Sequence, residues 1–344
     1  MFRKRQIGKT NIQVTELGFG AASLGNLYKA ISNEEATLTL SSAIHSGINL
    51  FDTAPRYGLG LSERRVGDVL RELAPSEYVI STKVGRILTP DRKANTKELR
   101  YGFDTPMPFD AHYDYTYDGI MRSFEDSIQR LGIAEIDILL VHDIGADTHG
   151  DKDEFYYNQL SESGYKAVDE LRTQGLIKAV GLGVNETEIC ERVMDIGQFD
   201  CFLLAGRYSL LEQDALDTFL PKCENHGASI ILGGPYNSGI LATGVKGEGE
   251  PHYNYQPAQA DIIKKVREIE DVCEQFQVPL AAAALQFPLG HSTVATVIPG
   301  LGSERRVKKT VELFHHDIPT DFWLRLIEIG LLRQDAPLPK SNAK

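Results

Sequence analysis

Eight short apolar runs recur along the chain, and they constrain its fold more than any other feature. They are continuously apolar rather than alternating, which is typical of strands buried on both faces of a parallel sheet. Segments with helical periodicity separate them; residues 117–131, for example, place Ile120, Phe124 and Ile128 on one face and end before Gly132. The apolar runs lie at 16–22, 48–53, 78–83, 136–143, 178–184, 201–206, 228–234 and 294–300.

This order of strands and helices predicts an α/β fold. Eight units in a chain of 344 residues favour a closed (β/α)8 TIM barrel in a single domain, 1–344. An open, doubly wound sheet fits the same order and stays the alternative. Residues 2–16 predict an N-terminal β-hairpin outside the barrel. The long loops 85–116 and 235–258 follow strands, so we expect them at the C-terminal face, where barrel enzymes build their active sites.

The composition disfavours several classes of function. With 36 Lys and Arg against 48 Asp and Glu, the formal net charge is −12, which opposes binding to nucleic acid or to an anionic membrane. Because no apolar run could cross a bilayer and the first residues lack a secretory signal, we expect a cytoplasmic protein. The four cysteines form no CxxC pair and are expected to be free thiols. His315, His316 and Asp317 follow a predicted helix in a polar stretch, without other candidate ligands at metal-site spacing in the sequence, so no metal site is predicted.

Ionisable residues end three consecutive apolar runs. Asp52 ends the second, Lys83 the third and His142 the fourth, and Tyr57 follows Asp52 in a loop with proline and glycine. Neighbouring parallel strands would place these residues side by side at the barrel mouth. A phenol has a pKa of about 10 in water, and a nearby ammonium favours its ionised form. The group therefore predicts Tyr57 as a general acid or base that Lys83 and Asp52 tune, with His142 orienting a substrate oxygen.

At these residues the chain resembles the aldo-keto reductase superfamily. The motifs that carry the resemblance are FDTAPRYGLGLSERRVGDVL (51–70), ISTKVG (80–85), DILLVHD (137–143) and VIPG (297–300). The resemblance extends over nearly the whole chain. It implies Tyr57 as proton donor or acceptor, Lys83 and Asp52 as its tuning pair, and His142 as the residue that orients the substrate. It also implies that NAD or NADP binds extended across the barrel mouth, without a Rossmann fold.

The cofactor contacts that the resemblance implies lie around the barrel mouth. Family positions that commonly contact the nicotinamide hold Ala205 and Gly233 here, which leaves Asn185 as the expected carboxamide contact. Where NADP-dependent relatives carry a cation, this chain has Gly302, with Arg306 further along, so NAD is expected to be preferred over NADP. The implied cofactor-binding residues are Gly20, Ala21, Asp52, Asn185, Pro235, Ser238, Gly239, Gly300, Gly302, Ser303 and Arg306.

The motif at 51–67 is most similar to aldose 1-dehydrogenases. This implies oxidation of the anomeric hydroxyl of a sugar such as L-fucose, L-galactose or D-arabinose to its lactone. Pyridoxal, which also forms a cyclic hemiacetal, is the alternative substrate. An NADPH-dependent aldehyde reductase stays open as well, whereas the complete set of four residues disfavours a non-catalytic nucleotide-binding subunit. We expect a sugar or pyridoxal as the small-molecule partner, no nucleic-acid or membrane partner, and leave a homo-oligomer open.

Overall fold

The centre of the molecule is one sheet of eight parallel strands. The computed structural model describes residues 2–340, and each barrel strand pairs with the next along the chain. All eight predicted strands are present, although the first is shorter than the predicted run at 16–22. The barrel strands, first to eighth, are Phe19–Gly20, Leu50–Asp52, Val79–Val84, Ile136–His142, Ile177–Val184, Cys201–Ala205, Ser229–Gly233 and Val294–Ile298.

The sheet closes on itself between its first and eighth strands. Parallel bridges join Leu17 to Val297 and Gly20 to Gly300, and the Gly18 amide donates to the Val297 carbonyl at 2.9 Å. Closure gives every strand two neighbours and so removes the exposed edges of an open sheet. The predicted (β/α)8 barrel is therefore confirmed, and the doubly wound alternative is wrong.

Helices connect the strands, and polar side chains fix where several of them begin. Ser32 Oγ accepts a hydrogen bond from the Glu35 amide at 3.1 Å, and the Glu35 carboxylate accepts one from the Ser32 amide at 2.9 Å. The α-helices are Asn33–His45, Leu61–Leu70, Tyr117–Leu131, Ala146–His149, Asp153–Gln159, Tyr165–Thr173, Glu188–Val193, Phe219–His226, Ile240–Thr243, Ala260–Phe276, Leu280–Gln286, Glu304–Phe314 and Thr320–Glu328. Short 3₁₀ helices lie at Ala21–Gly25, Gly150–Lys152, Asp214–Leu216 and Phe287–Gly290.

Two helical regions differ from the sequence prediction. Helical periodicity between the apolar runs 136–143 and 178–184 predicts one helix, at about 161–174. In the structure this helix follows an earlier one, Asp153–Gln159, through a π-helical turn at Leu160–Gly164. Such a turn rotates the apolar face and obscures its period in the sequence. The helix Leu280–Gln286 has no polar face to reveal it, since five of its residues are buried. No helix between residues 2 and 340 is both long and apolar enough to span a membrane.

The predicted N-terminal hairpin closes one end of the barrel. Lys4–Gln6 pairs antiparallel with Gln13–Thr15. Ile7, Ile12 and Val14 of this hairpin are buried in one apolar cluster with inward-facing residues near the starts of the barrel strands. The N-terminal end of the barrel is therefore sealed, which leaves the C-terminal end for a site.

The two segments predicted as long loops contain hairpins of their own. Arg86–Pro90 pairs with Phe109–Tyr113 after the third strand, over five residue pairs. His252–Tyr253 pairs with Gln256–Pro257 after the seventh strand. Both hairpins follow the carboxyl ends of strands, so they border the mouth of the barrel as expected.

Candidate active site

The ends of three neighbouring strands bring Asp52, Lys83 and His142 to the barrel mouth, as predicted. Lys83 Nζ donates to both carboxylate oxygens of Asp52, at 2.9 and 2.8 Å, and to the Thr53 carbonyl at 2.8 Å. The Ser81 hydroxyl also donates to Asp52, at 2.6 Å. Lys83 and Asp52 are only 1% and 2% exposed. Two charges buried this deeply are tolerated because each has its counter-charge and further hydrogen bonds.

Tyr57 joins this group from the loop after the second strand. Its ring centroid lies 4.8 Å from Lys83 Nζ and 6.1 Å from the centroid of the His142 ring. Gly25 lets this loop come close to the segment after the first strand, because a Cβ there would stand 2.5 Å from the carbonyl carbon of Tyr57. Gly25 thus makes room for the Tyr57 loop, a use that the sequence did not indicate.

The protonation of Tyr57 differs from the sequence expectation. Burial raises the pKa of Tyr57 to about 12, although the Lys83 ammonium acts in the opposite direction. The sequence indicated only the lowering by Lys83; a phenol removed from water also loses the hydration that stabilises its ionised form. Burial alone would lower the pKa of Lys83, but its contacts with Asp52 and Tyr57 outweigh burial and raise that pKa. In this structure, therefore, Tyr57 is protonated and Lys83 is charged at neutral pH.

His142 presents a neutral imidazole to the site. It is 6% exposed, and its Nδ1 has no hydrogen-bond partner among the described residues. Burial lowers the pKa of His142 well below its usual value, and the cations of Arg86 and Lys83 add to this effect. The Asp143 carboxylate, 3.4 Å from Nε2, acts in the opposite direction without cancelling it. A neutral imidazole with an unpaired nitrogen can hold a substrate oxygen.

Two charged residues beside this group were not indicated by the sequence. Arg86 Nη2 contacts Asp143 Oδ2, and the Arg86 guanidinium lies 4.5 Å from the centroid of the Tyr113 ring. Asp143 has a left-handed backbone, with φ of 49°, so the chain turns sharply directly after His142. An acidic residue at the end of an apolar run was the one signal for Asp143. Arg86 gave no signal, because its partner is distant in sequence.

Five of the predicted cofactor contacts lie at the seam where the barrel closes. Gly20 ends the first strand, Ala21 follows it, and this segment adjoins the one after the eighth strand that contains Gly300, Gly302 and Ser303. A Cβ at Gly20 would stand 3.0 Å from the Pro299 carbonyl oxygen, and one at Gly302 would stand 2.9 Å from the Cβ of Ser23. Glycine at both positions therefore lets the segments after the first and eighth strands pack closely at the seam.

The helix that follows this seam offers backbone amides to an anion. Ser303 caps the helix Glu304–Phe314 by accepting a hydrogen bond from the Arg306 amide at 3.3 Å. The first backbone N–H groups of a helix and its dipole favour negative charge. The side chain of Arg306 is exposed on the first turn of this helix, which directly follows the seam.

The remaining predicted cofactor contacts surround Tyr255. Asn185 hydrogen-bonds to the Tyr255 side chain, and Ser238 Oγ accepts a hydrogen bond from the Tyr255 amide at 2.8 Å. Asn237, which the sequence did not indicate, is 4% exposed, and its Nδ2 has no partner within residues 2–340. A bound polar ligand would satisfy such a donor. Two further predicted residues share the Ser238 loop, Pro235 and Gly239.

Comparison with known proteins identifies the family. The sequence profile of the Aldo/keto reductase family matches residues 16–330, which include every residue of the site described above. The chain belongs to the aldo/keto reductase family. It is an oxidoreductase of a family that uses NAD or NADP, and the predicted resemblance is confirmed.

Two relatives belong to the subgroup that the sequence indicated. This aldo/keto reductase is 45% identical to the pyridoxal 4-dehydrogenase of Microbacterium luteolum, over 96% of this chain and 98% of that protein. It is 34% identical to a D-threo-aldose 1-dehydrogenase of Pseudomonas sp, over 93% of this chain and 95% of the relative. Among solved structures, the glycerol dehydrogenase of Gluconobacter oxydans superposes with a TM-score of 0.74 at 20% identity, covering 99% and 98% of the two chains. That likeness shows the fold alone.

The sequence also singled out a candidate metal site at His315 and the four cysteines, and the structure shows what surrounds them. Between residues 2 and 340, no group of three or more His, Cys, Asp or Glu side chains is placed to hold a metal ion. His315 stacks on Phe2, with ring centroids 5.1 Å apart. All four cysteines are free and buried, so the prediction of free thiols is confirmed.

Proposed function

We propose that this aldo/keto reductase oxidises the hydroxyl of a cyclic hemiacetal to a lactone, with Tyr57 accepting the hydroxyl proton. The observation that carries the proposal is the buried ammonium of Lys83, which three protein oxygens hold 4.8 Å from the Tyr57 ring centroid. A fixed cation stabilises the negative charge that Tyr57 carries when it is ready to accept a proton. Asp52 keeps that cation charged and in place.

His142 completes the set as the residue that orients the substrate. A neutral imidazole has one N–H donor and one acceptor. It can therefore hold the hydroxyl oxygen of a hemiacetal without competing with Tyr57 for the proton at neutral pH. Burial of His142 and Lys83 also excludes water from this side of the site, which strengthens each electrostatic contact.

The barrel mouth beside the closing seam offers contacts that suit a dinucleotide. The helix Glu304–Phe314, capped by Ser303, presents its first backbone amides and suits a phosphate. The unpaired Asn237 amide suits a polar group such as a carboxamide. When bound, the nicotinamide ring accepts the hydride that leaves the substrate carbon. We propose NAD as the preferred form, because Gly302 offers no cation to a 2′-phosphate.

Two substrates share this chemistry. The first is an aldose, oxidised at its anomeric hydroxyl, as the sequence motif at 51–67 implies. The second is pyridoxal, whose aldehyde closes onto the neighbouring hydroxymethyl group as a cyclic hemiacetal. Two observations favour pyridoxal: the 45% identity to a pyridoxal 4-dehydrogenase, and the exposed ring of Tyr101, whose centroid lies 4.5 Å from the Arg56 guanidinium beside Tyr57. An exposed aromatic ring suits a flat substrate ring better than a polyol.

Initial rates of cofactor reduction test the proposal. L-fucose, L-galactose, D-arabinose and pyridoxal would each be offered with NAD and with NADP, and the reduced cofactor followed by absorbance. We expect turnover of at least one of these hemiacetals, faster with NAD. Tyr57→Phe should lower kcat by about 10²- to 10⁴-fold while the protein still binds cofactor in a fluorescence titration. No oxidation of any of the four, together with rapid NADPH-dependent reduction of simple aldehydes, would replace the proposal with the reductase alternative.

A further inference from the structure

Arg56 is a half-buried arginine at the active site without a counter-charge. It directly precedes Tyr57 in the chain, and its guanidinium lies 4.5 Å from the centroid of the Tyr101 ring. Within residues 2–340, no carboxylate lies at ion-pair distance from it. Taking an unpaired charge out of water costs free energy. An unpaired, half-buried arginine in a cleft is therefore a candidate functional residue.

The other charges around Arg56 are paired. Lys83 is neutralised by Asp52 and Arg86 by Asp143, and the lowered pKa of His142 keeps that side chain neutral. The site therefore carries one positive charge in excess, located at Arg56. Burial, followed by repulsion from Arg86, lowers the pKa of Arg56, as expected for a cation that lacks an anion.

The position of Arg56 separates it from the proposed phosphate contacts. Arg56, Arg86 and Asp143 follow the second, third and fourth strands. Apart from Asp52, the proposed cofactor contacts follow the fifth, seventh, eighth and first strands, and the helix capped by Ser303 follows the eighth. An anion bound at Arg56 would thus belong to the substrate rather than to the cofactor phosphates.

We propose that Arg56 binds an anionic oxygen of the substrate, which makes the substrate an aromatic hemiacetal with an ionised hydroxyl beside the reacting carbon. This inference rests on the proposed function and chooses between its two substrates. The 3-hydroxyl of pyridoxal is such a group, whereas an aldose carries only neutral hydroxyls. Arg56 forms a charge-assisted hydrogen bond to the phenolate, and the exposed Tyr101 ring supplies aromatic surface for the substrate ring.

The test compares Arg56 with a second arginine on the same aromatic ring. Arg100 lies 5.7 Å from the Tyr101 centroid but has its own partner, Asp91, at 3.2 Å. We would measure kcat/KM for pyridoxal and for L-fucose, and KM for NAD, in the wild type, Arg56→Gln, Arg56→Lys and Arg100→Gln. Calorimetric titration with pyridoxal gives binding independently of turnover, and circular dichroism checks that each variant is folded.

The expected result is a selective loss. Arg56→Gln lowers the ratio of kcat/KM for pyridoxal to that for L-fucose at least tenfold, because it removes a charge-assisted hydrogen bond. Arg56→Lys keeps part of the wild-type ratio, and Arg100→Gln keeps nearly all of it. Equal pyridoxal binding by Arg56→Gln and Arg100→Gln would overturn the inference. A rise in KM confined to NAD would also overturn the inference. A wild type that oxidises sugars but not pyridoxal would overturn the inference while the proposed function stands. A wild type that binds pyridoxal through Arg56 but oxidises no hemiacetal would refute the proposed function instead.

Discussion

Lys83 reaches the barrel mouth because the residue facing its side chain on the fifth strand is a glycine. A Cβ at Gly183 would stand 3.1 Å from Lys83 Cε and 3.3 Å from Cδ. Asp52 and Thr53 hold the ammonium at its far end, so the stem has little freedom to move away. A residue without any functional group therefore helps to set the distance between Lys83 and Tyr57.

Replacing Gly183 with alanine should displace Lys83 and lower activity. We expect kcat to fall at least tenfold, and the free energy of unfolding to drop by about 1–3 kcal/mol, because the added methyl group overpacks a buried site. Steady-state kinetics and denaturant unfolding would measure both. Gly247→Ala is the matched control, because a Cβ at Gly247 meets nothing within 4 Å. Equal behaviour of the two variants would refute this role of Gly183.

The raised pKa of Tyr57 predicts how oxidation depends on pH. Only ionised Tyr57 accepts a proton, and with a pKa of about 12 its ionised fraction grows about tenfold per pH unit below that value. The kcat/KM for oxidation should therefore increase between about pH 7 and pH 10, whereas the reverse reduction of the lactone, which uses protonated Tyr57, should not. An oxidation profile that is already flat near neutral pH would contradict this.

The sequence predicted the residues that end strands, and missed those placed by contacts between segments. Asp52, Lys83 and His142 stand out because a charge at the end of an apolar run has no reason to be in a core. Arg86 and Asn237 lie in the segments 85–116 and 235–258, which the sequence predicted as loops, and their surroundings depend on how the hairpins in those segments fold. Their positions follow from tertiary contacts that no local pattern encodes.

At the scale of elements, Glu63 joins three of them behind the site. It is fully buried on the helix Leu61–Leu70. Its carboxylate accepts a hydrogen bond from Thr82 on the third barrel strand at 2.7 Å and pairs with Arg130 of the helix Tyr117–Leu131. Because Thr82 directly precedes Lys83, this contact fixes both helices against the strand that carries the catalytic lysine we propose.

Removing the cation of this pair should destabilise the protein strongly. Arg130→Met leaves the buried Glu63 carboxylate uncompensated, and we expect a loss of about 3–5 kcal/mol in the free energy of unfolding. The control on the same helix is Arg122→Met, whose pair with Asp126 spans 4.0 Å and is 57% and 41% exposed; its loss should stay below about 1 kcal/mol. If denaturant unfolding gave similar losses of free energy for the two variants, the pair of Arg130 with Glu63 would not stabilise the protein more than an exposed ion pair.

The elements of the barrel were predictable, and the irregular ones were not. Continuous apolar runs and amphipathic periods identify the eight strands and most of the helices because burial imposes those periods. The hairpin Arg86–Pro90 with Phe109–Tyr113 escaped prediction, since the residues of its second strand alternate between partly buried and exposed positions without a clear apolar face. The π-helical turn Leu160–Gly164 escaped for the related reason that it breaks the helical period.

Over the whole molecule, burial makes stability depend on histidines. It lowers the pKa of five of them, which are His142, His149, His226, His291 and His315. Each stays neutral when folded at a pH where the unfolded chain, with an ordinary pKa of about 6.5, takes up a proton. The stabilisation is therefore complete above that value and is lost as the pH falls toward the folded pKa.

Acidification should thus lower the melting temperature before the carboxylates titrate. Between about pH 7.5 and pH 5.5, His142 alone should cost on the order of 1 kcal/mol. In thermal melts, His142→Gln should shrink the difference between the two pH values. Substitution of the exposed His252 by glutamine should leave that difference unchanged. A wild type that melts equally well at both pH values would show that these buried histidines do not control acid stability.

Transfer of the substrate hydrogen tests the central claim most directly. A hemiacetal that the enzyme oxidises would be deuterated at its hemiacetal carbon, and the reduced cofactor recovered after one turnover would be weighed by mass spectrometry. We predict that the reduced cofactor carries the deuterium with the wild type, and that Tyr57→Phe, though folded and cofactor-bound, transfers it at least about a hundredfold more slowly. Deuterium that stays in the product, or transfer by Tyr57→Phe at the wild-type rate, would contradict the account.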